Sequence, residues 1–215
     1  MLYPINLELA GKRVLIVGGG QVAERKAKGL LAAGAVVTII APDVTDALAA
    51  LAQAGRLAWV QGALVAGQVT ERKPLLVFCT ARDAAANALA AKEARAVGAL
   101  VNEAVRPEGT DFTVPARIRR GDFLLTVSTG GVSPALSRAL RARLEEEFPP
   151  AFGDWLNLLG QIRAEMKEKL KTSEARQSFW RAALHSRVLD LVRDGQLGRA
   201  EVEVRNAITG LGTEP

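Results

Sequence analysis

A glycine-rich segment near the N-terminus has the composition of a turn that holds phosphate groups. Residues 18–23 read Gly-Gly-Gly-Gln-Val-Ala and fit the pattern G-x-G-x-x-A. In this pattern Gly18 permits a tight turn, Gly20 lets the backbone approach a pyrophosphate, and the small Ala23 allows close helix packing. A helix that begins here directs free N–H groups and a positive dipole end at the phosphates. The segment predicts a dinucleotide site, and the alternative is a packing turn without a ligand. The predicted cofactor contacts from this turn are Gly18, Gly20, Gln21 and Val22.

An acidic residue further along the chain bears on which nicotinamide cofactor is used. An acid about 20 residues after the turn bonds the ribose 2′-OH of NAD, whereas an arginine binds the 2′-phosphate of NADP. Asp43 lies 20 residues after Ala23, and no Lys or Arg occurs over 29–55. The pattern favours NAD, although Asp43 is equally suited to cap a helix. Pro42 and Thr80 complete the predicted cofactor contacts.

The elements around this turn alternate between short apolar runs and helical patterns. A buried strand is predicted over 13–17, directly before the glycines, and the helix after them ends at Gly34. Alternation of this kind, with continuous apolar strands, predicts a parallel sheet covered on both faces. The other predicted strands are 36–40, 57–60, 75–79 and 100–101, and the predicted helices are 22–33, 42–54 and 84–97.

After Asn102 the pattern changes. Two extended segments, 113–119 and 123–128, are joined by Arg120-Gly121-Asp122 and predict an antiparallel hairpin. Ser133-Pro134 then supplies a capping residue and a proline at the first position of a helix that ends near 147. Helical periodicity continues from Phe148, with breaks near 171–173 and at Gly195, and residues 210–215 are expected to form a frayed end. The predicted fold is α/β. The predicted division is a Rossmann-like nucleotide-binding domain over 1–113, a hairpin and helix dimerisation region over 114–147, and a small helical domain over 148–215.

Composition excludes several classes of protein. The chain has 215 residues, of which 49% are hydrophobic and 24% charged, as in a packed globule rather than a disordered chain. One cysteine, Cys79, and one histidine, His185, argue against a Cys/His zinc site. No apolar run reaches the ~20 residues of a membrane span, and the first residues do not read as a signal peptide. A cytoplasmic location without membrane contact is therefore expected.

Positive charge is concentrated in one part of the sequence. The net charge is +5, and the stretch 105–143 contributes +4 of it, from seven arginines and three acids. A focused cationic surface attracts an anionic partner. Aromatic residues make up 5% of the chain, so base-stacking platforms for nucleic acid are scarce. A small molecule with carboxylates or phosphates is the expected partner, and nucleic acid is not. The arginines are residues 106, 117, 119, 120, 138, 141 and 143.

Taken together, these motifs resemble a known family. The segment 11–27, Gly-Lys-Arg-Val-Leu-Ile-Val-Gly-Gly-Gly-Gln-Val-Ala-Glu-Arg-Lys-Ala, resembles the opening of precorrin-2 dehydrogenases, which include the N-terminal half of siroheme synthase. The likeness covers residues 1 to about 148 and extends loosely into the helical tail, where 177–180 is its best anchor. It continues through Val101-Asn102, Asp111-Phe112, Pro115-Ala116, the segment 127–134 and the segment 136–141.

The resemblance implies an activity and its partners. It implies NAD-dependent oxidation of precorrin-2 to sirohydrochlorin by a homodimer that is joined through the central hairpin segment. Some members also insert ferrous iron. The arginines of 105–143 suit a substrate with many carboxylates, and the alternative is that they lie on solvated surfaces. A second hypothesis is a related protein that binds NAD or sirohydrochlorin without turnover.

The family has an aspartate shortly after the Val-Asn of the fifth strand, and the resemblance gives it the acid–base and metal-handling work. Val105 occupies that position here. Valine neither carries a proton nor binds iron, so iron insertion is in doubt and no metal ligand is predicted. Asp111 is the predicted catalytic base, Glu103 is a second candidate, and a structural role for Asp111 is the alternative.

Several residues are predicted to bind the substrate. Asn102 directly follows the predicted fifth strand. Ser128, Thr129 and Gly130 form a second flexible turn before a helix N-terminus, which could receive a carboxylate. A plain connection between strand and helix is the alternative for that turn. Arg138 follows on the helix and completes the set.

Overall fold

A computed structural model describes residues 2–104 and 109–210. The chain forms two compact units, Tyr3–Val114 and a second unit that begins at Pro115. Our division into three parts, with a further boundary after residue 147, stays a prediction.

The first unit is built on a parallel sheet of five strands in the order β3-β2-β1-β4-β5. This order, with helices on both faces, confirms the predicted Rossmann-like fold. The strands are β1 (Arg13–Val17), β2 (Val36–Ala41), β3 (Ala58–Gln61), β4 (Leu76–Cys79) and β5 (Leu100–Glu103), and the helices are α1 (Gln21–Ala32), α2 (Asp46–Gln53), α3 (Gln68–Arg72) and α4 (Ala84–Ala96).

The sheet separates two apolar clusters. On one face Ala23, Ala27 and Leu30 of α1 pack against alternate strand residues such as Ile16. On the other face the alanines of α4 pack against the intervening residues, such as Leu15. Because both faces are covered, all four residues of β4 are buried, as expected for a parallel sheet.

One predicted helix in this unit begins at the wrong residue, and another helix was not predicted. The second helix begins at Asp46 rather than at 42, because the hydroxyl of Thr45 accepts the N–H of Leu48 and caps it. Asp43 is therefore not the helix cap. The short helix α3 was not predicted, and its N-cap is Gly67, whose φ of 91° lies in the left-handed region.

Glu93 of α4 holds the start of α3. Its carboxylate accepts backbone N–H groups from Gly67 at 2.5 Å, Val69 at 3.0 Å and Thr70 at 3.4 Å. Burial alone would raise the pKa of Glu93, but these hydrogen bonds outweigh it and lower the pKa below its usual value. A charged acceptor from a neighbouring helix thus substitutes for a local capping residue.

Replacing Glu93 with alanine is expected to lower the free energy of unfolding by about 2 kcal/mol at neutral pH, because backbone donors lose a charged acceptor. A carboxyl whose pKa is lowered in the folded state stabilises above its unfolded pKa and loses that effect as pH falls through the folded pKa. The difference from wild type should therefore be constant near neutrality and shrink on acidification. Urea unfolding between neutral and acidic pH measures this, and a difference independent of pH would contradict it.

Up to residue 210, the described part of the second unit combines a hairpin with five helices. Strands β6 (Ala116–Arg120) and β7 (Phe123–Val127) pair antiparallel across a turn in which Gly121 has φ of 59°. The hydroxyl of Ser133 accepts the N–H of Leu136 and caps the next helix, as predicted. The helices are α5 (Pro134–Glu147), α6 (Ala151–Lys169), α7 (Ser173–Ala183), α8 (Ser186–Arg193) and α9 (Leu197–Gly210).

Helices α6 to α9 share a core that includes Trp155, Ile162, Phe179 and Val188. The predicted breaks near 171–173 and 195 are confirmed, and a further break at Leu184-His185 separates α7 from α8. Across residues 2–104 and 109–210, no helix has the length and apolar character needed to cross a membrane.

Candidate functional site

The glycine turn lies where β1 ends between its two neighbours. The N–H of Gly18 donates to Ile40 of β2, and the N–H of Thr80 donates to Val17 of β1. Gly18 has φ of 114°, and a Cβ there would lie 2.7 Å from the backbone of Ala81. Only glycine allows this close approach, because any side chain would meet backbone atoms that cannot move aside.

Gly19 is equally constrained, although the G-x-G-x-x-A pattern places no demand on it. A Cβ at this position would overlap the carbonyl oxygen of Asp43, and the carbonyl of Gly19 accepts the N–H of Thr45 at 3.0 Å. The turn and the loop after β2 are thus in direct contact. The sequence signal for this role is a glycine at the second of three consecutive positions, where the pattern allows any residue.

Gly20 differs from both of its neighbours. It is the N-cap of α1 and has an ordinary φ of −83°, and a Cβ added to it would meet no described atom within 4 Å. No side chain of the described residues caps α1 at this end, where the first N–H groups of a helix have no intrahelical acceptor. Gln21 and Val22 follow at the same end and are exposed. These features fit the approach of a pyrophosphate to open backbone donors.

A side chain of α1 holds the loop that carries Pro42 and Asp43 through a hydrogen bond. Both residues are exposed. The hydroxyl of Thr45 donates to the carboxylate of Glu24 at 2.7 Å, and Lys28 donates to the same carboxylate at 2.5 Å. The hydrogen bonds from Lys28 and Thr45 lower the pKa of Glu24. Asp43 is therefore held beside the glycine turn with its carboxylate at the surface, as a ribose contact requires.

Thr80 lies at the end of β4, across the turn from Asp43. Its N–H and its hydroxyl both donate to the carbonyl of Val17, at 2.8 and 2.9 Å. The amide of Asn87 bonds both backbone groups of Ala81. The structure thus gathers the predicted cofactor residues of β1, β2 and β4 at one edge of the sheet.

Asp111 and Asn102 lie together at the end of β5. The carboxylate of Asp111 accepts the N–H of Val101 at 2.8 Å, and the N–H of Asp111 donates to the carbonyl of Val101. Asp111 is exposed, whereas Asn102 is buried. The amide of Asn102 donates to the carbonyl of Phe112 at 2.8 Å. Their roles as base and substrate contact stay predictions.

Lys26 joins this group and was not among the predicted site residues. Its Nζ donates to Oδ1 of Asn102 at 2.8 Å and lies 4.6 Å from the ring centroid of Phe78. Burial, with the like charge of Arg25, lowers the pKa of Lys26 to about 8. The helical spacing could have indicated its inward position, because residue 26 lies three residues after the buried Ala23, on the inner side of α1.

The opposite face of the same strands carries a different pair. Glu103, the second candidate base, lies 3.3 Å from Arg95 of α4. Burial, and then the nearby Glu103, raise the pKa of Cys79 to about 12. Cys79 is buried within an apolar strand, so it serves as a packing residue.

The remaining predicted substrate residues lie in the second unit, around the start of α5. The hydroxyl of Thr129 accepts the N–H of Ser133 at 3.2 Å and contacts the hydroxyl of Ser137 at 3.1 Å. Ser128 accepts the N–H of Gly130 at 3.2 Å. Arg138, Ser128 and Gly130 are exposed. Their contacts with substrate stay predictions.

The six arginines of the 105–143 stretch that the structure describes divide into two with hydrogen-bonded partners and four that are exposed. Arg120 donates to the carbonyl of Phe148, and Arg141 pairs with Glu145 at 2.8 Å. The other four are exposed, and no ion pair joins them to another described residue. These exposed members are Arg117, Arg119, Arg138 and Arg143.

Val105, Arg106 and Glu108, one of the three acids of the 105–143 stretch, lie outside the described residues. Among the residues that the structure does describe, no group of three His, Cys, Asp or Glu side chains is placed to hold a metal ion.

A cavity of about 210 Å³ lies at the amino end of β1, next to Arg13, Val36 and Pro74. It is therefore at the sheet edge away from the glycine turn.

Two family descriptions match the chain. "Putative NAD(P)-binding" matches residues 5–116. "Sirohaem synthase dimerisation region" matches residues 151–208, which correspond to α6–α9 rather than to the 114–147 region where we predict dimerisation. That placement stays a prediction.

Curated proteins and a solved structure are similar over nearly the whole chain. The siroheme synthase of Chromobacterium violaceum is 36% identical over 210 residues, which cover 97% of this chain and 44% of that protein. The siroheme synthase of Photorhabdus laumondii is 35% identical, over 95% of this chain and 43% of its own length. The chain thus spans less than half the length of these relatives. The solved structure of SirC, a precorrin-2 dehydrogenase, matches with a TM-score of 0.69 and 25% identity, covering 99% of this chain and 100% of that one.

Proposed function

Because this chain belongs to the family of siroheme synthases and precorrin-2 dehydrogenases, we propose that it oxidises precorrin-2 to sirohydrochlorin with NAD. The observation that carries the proposal is the geometry of the glycine turn. Neighbouring backbone atoms leave no room for a side chain at Gly18 or Gly19, whereas Gly20 faces open space at the start of α1. A turn that only packs strands together would not require glycine at position 20, because a side chain there would meet no described atom.

The residues at this edge have separate tasks in the proposed reaction. The N–H groups around Gly20, Gln21 and Val22 bind the pyrophosphate, and Asp43 bonds the adenosine ribose. Bound there, NAD supplies the acceptor for a hydride from the substrate, while the protein supplies binding and orientation. Asp111 receives the proton that the macrocycle loses.

Asp43 is also the basis for proposing NAD rather than NADP. Its carboxylate is exposed beside the turn, where it would repel a 2′-phosphate. The segment 29–55 offers no cation that could bind such a phosphate.

A second candidate function is a protein that binds NAD and sirohydrochlorin without turnover. The observation that favours it is Val105, which stands where the resemblance places the family's catalytic aspartate. The same substitution leaves iron insertion without its expected ligand, so we propose dehydrogenase activity without a chelatase step.

One assay separates these proposals. The purified chain is mixed with fresh precorrin-2 and NAD, and the absorbance of NADH and sirohydrochlorin is followed together. We expect both to appear in equal amounts, to depend on NAD, and to be slower with NADP. Added Fe²⁺ should leave the rate of sirohydrochlorin consumption unchanged. Absence of turnover, with tight binding of both NADH and sirohydrochlorin, would favour the binding protein and reject the enzyme.

We also propose that the chain forms a homodimer. A match to a dimerisation region covers 151–208, and α5 has no buried residue although it carries Leu136 and Leu140. Apolar residues exposed along a helix are typical of an interface. Sedimentation equilibrium at micromolar protein should give twice the chain mass, and a mass of one chain would reject the dimer. The cytoplasmic location remains a proposal.

A further inference from the structure

Lys26 is a cation in an unusual position. Most lysines extend into solvent, but this one lies half-buried on the inner side of α1 and reaches the end of β5. Its Nζ contacts two neutral partners, the amide oxygen of Asn102 at 2.8 Å and the ring of Phe78 at 4.6 Å. Phe112 packs edge-on against Phe78 and accepts a hydrogen bond from Asn102, so the position of the ammonium is fixed from several sides.

The charge of Lys26 is not matched by an anion within the part of the chain that the structure describes. No Asp or Glu oxygen there lies within 4.0 Å of its Nζ. An ammonium has three donors, and Asn102 accepts one of them. Removing a cation from water is unfavourable unless a partner compensates, and the lowered pKa of Lys26 reflects that cost. An incoming anion would relieve it.

The fold places Lys26 away from both phosphate and adenosine contacts. It lies six residues after Gly20, which is about 9 Å along the axis of α1. Its partner Asn102 belongs to β5, on the opposite side of β1 from β2 and Asp43. Because a dinucleotide extends across the carboxyl ends of such a sheet, the adenosine lies on the β2 side and the nicotinamide on the β4–β5 side. The substrate must meet the nicotinamide, so the anion available to Lys26 belongs to the substrate.

We propose that Lys26, held by Asn102, binds one carboxylate of the tetrapyrrole and so orients the macrocycle for hydride transfer. This inference rests on the proposed function, because it takes the substrate from it. Asn102 acts here as a positioning residue, since its amide oxygen fixes the ammonium. In this arrangement Asn102 holds Lys26, whereas the sequence predicts it as a direct contact of the substrate.

The test replaces Lys26 with methionine, which keeps the length and apolar stem of the side chain but removes its charge. Arg25→Met is the matched control, because it removes the same charge from the neighbouring position, where the side chain is exposed. Dissociation constants for sirohydrochlorin and NADH are measured separately by fluorescence. We expect Lys26→Met to weaken sirohydrochlorin binding at least about tenfold, as for loss of a partly buried ion pair. NADH binding should change less than about twofold, and Arg25→Met should leave both constants unchanged within that margin.

Lys26→Arg should retain most of the affinity for sirohydrochlorin, because it keeps the charge. Thermal melts check folding, and Lys26→Gln, which keeps a donor toward Asn102, replaces the methionine variant if that variant is destabilised. Equal weakening of NADH and sirohydrochlorin binding would make Lys26 a structural support of α1 and overturn the inference, as would unchanged sirohydrochlorin binding. Failure of the wild-type chain to oxidise precorrin-2 would instead reject the proposed function, whatever Lys26→Met does to binding.

Discussion

Replacing Gly20 with alanine is expected to weaken NADH binding between about fivefold and 150-fold while leaving the folded protein intact. The added methyl group meets no described atom within 4 Å, and the φ of −83° suits any residue. The methyl group would, however, occupy the space through which a pyrophosphate approaches the N–H groups of α1. An extra carbon forced into a close contact typically costs about 1–3 kcal/mol, which corresponds to that range of affinity.

The neighbouring glycine supplies the matched control for this prediction. A methyl group at Gly19 would overlap the carbonyl oxygen of Asp43, so Gly19→Ala should lower the melting temperature as well as NADH binding. Gly20→Ala should lower binding alone. Fluorescence titration with NADH and a thermal melt on both variants measure the two effects. Unchanged NADH affinity in a stable Gly20→Ala protein would mean that the turn packs strands together and holds no dinucleotide.

The parallel sheet could be predicted from sequence because its signals are local. The sequence predicts β1 residue for residue, since a continuous apolar run ends at glycines that cannot extend it. The same holds for α5, where Ser133-Pro134 marks the first turn and no tertiary contact is needed to see it. Helices and strands with their own start and stop signals can be predicted from the sequence without knowledge of the elements that pack against them.

The elements that sequence reasoning misses depend on distant residues. The start of α3 is capped by Glu93, more than 20 positions later in the chain, and a five-residue helix has too few positions to show a period. The sequence predicts the start of α2 at Pro42-Asp43, a combination that suits a cap, but Thr45 takes that role. Two potential caps lie close together, and tertiary contact with Gly19 and Glu24 decides between them.

The residues of the candidate site divide in the same way, into those with a local sequence signal and those that depend on distant partners. The glycines and Asp43 could be predicted as cofactor contacts because cofactor recognition follows a spacing along the chain, and those roles stay predictions. Lys26 could not be assigned a role, because its partner Asn102 is 76 positions away and only the fold brings α1 over β5. The helical pattern of a sequence can place a lysine on the inner side of a helix, but it does not indicate which anion that lysine binds.

Asp111→Asn is expected to lower the rate of precorrin-2 oxidation by about 100-fold or more, the usual contribution of a positioned general base. The carboxylate has one oxygen fixed by the N–H of Val101 at 2.8 Å. Asparagine retains an oxygen acceptor for Val101 but cannot take a proton. The substitution therefore removes the proposed chemistry and keeps the anchor of the segment to β5. NADH and sirohydrochlorin binding should change little, and the free energy of unfolding should change by less than about 1 kcal/mol.

Glu103→Gln is the control, because Glu103 was the other candidate base. It lies on the opposite face of β5 from Lys26 and Asn102, beside Arg95, and the side chains of adjacent strand residues point to opposite faces. We therefore expect near-normal rates from Glu103→Gln. Single-turnover rates of sirohydrochlorin formation compare the two variants. A normal rate in Asp111→Asn would leave Asp111 as an anchor for Val101, and a loss confined to Glu103→Gln would move the proton acceptor to the α4 side of the sheet.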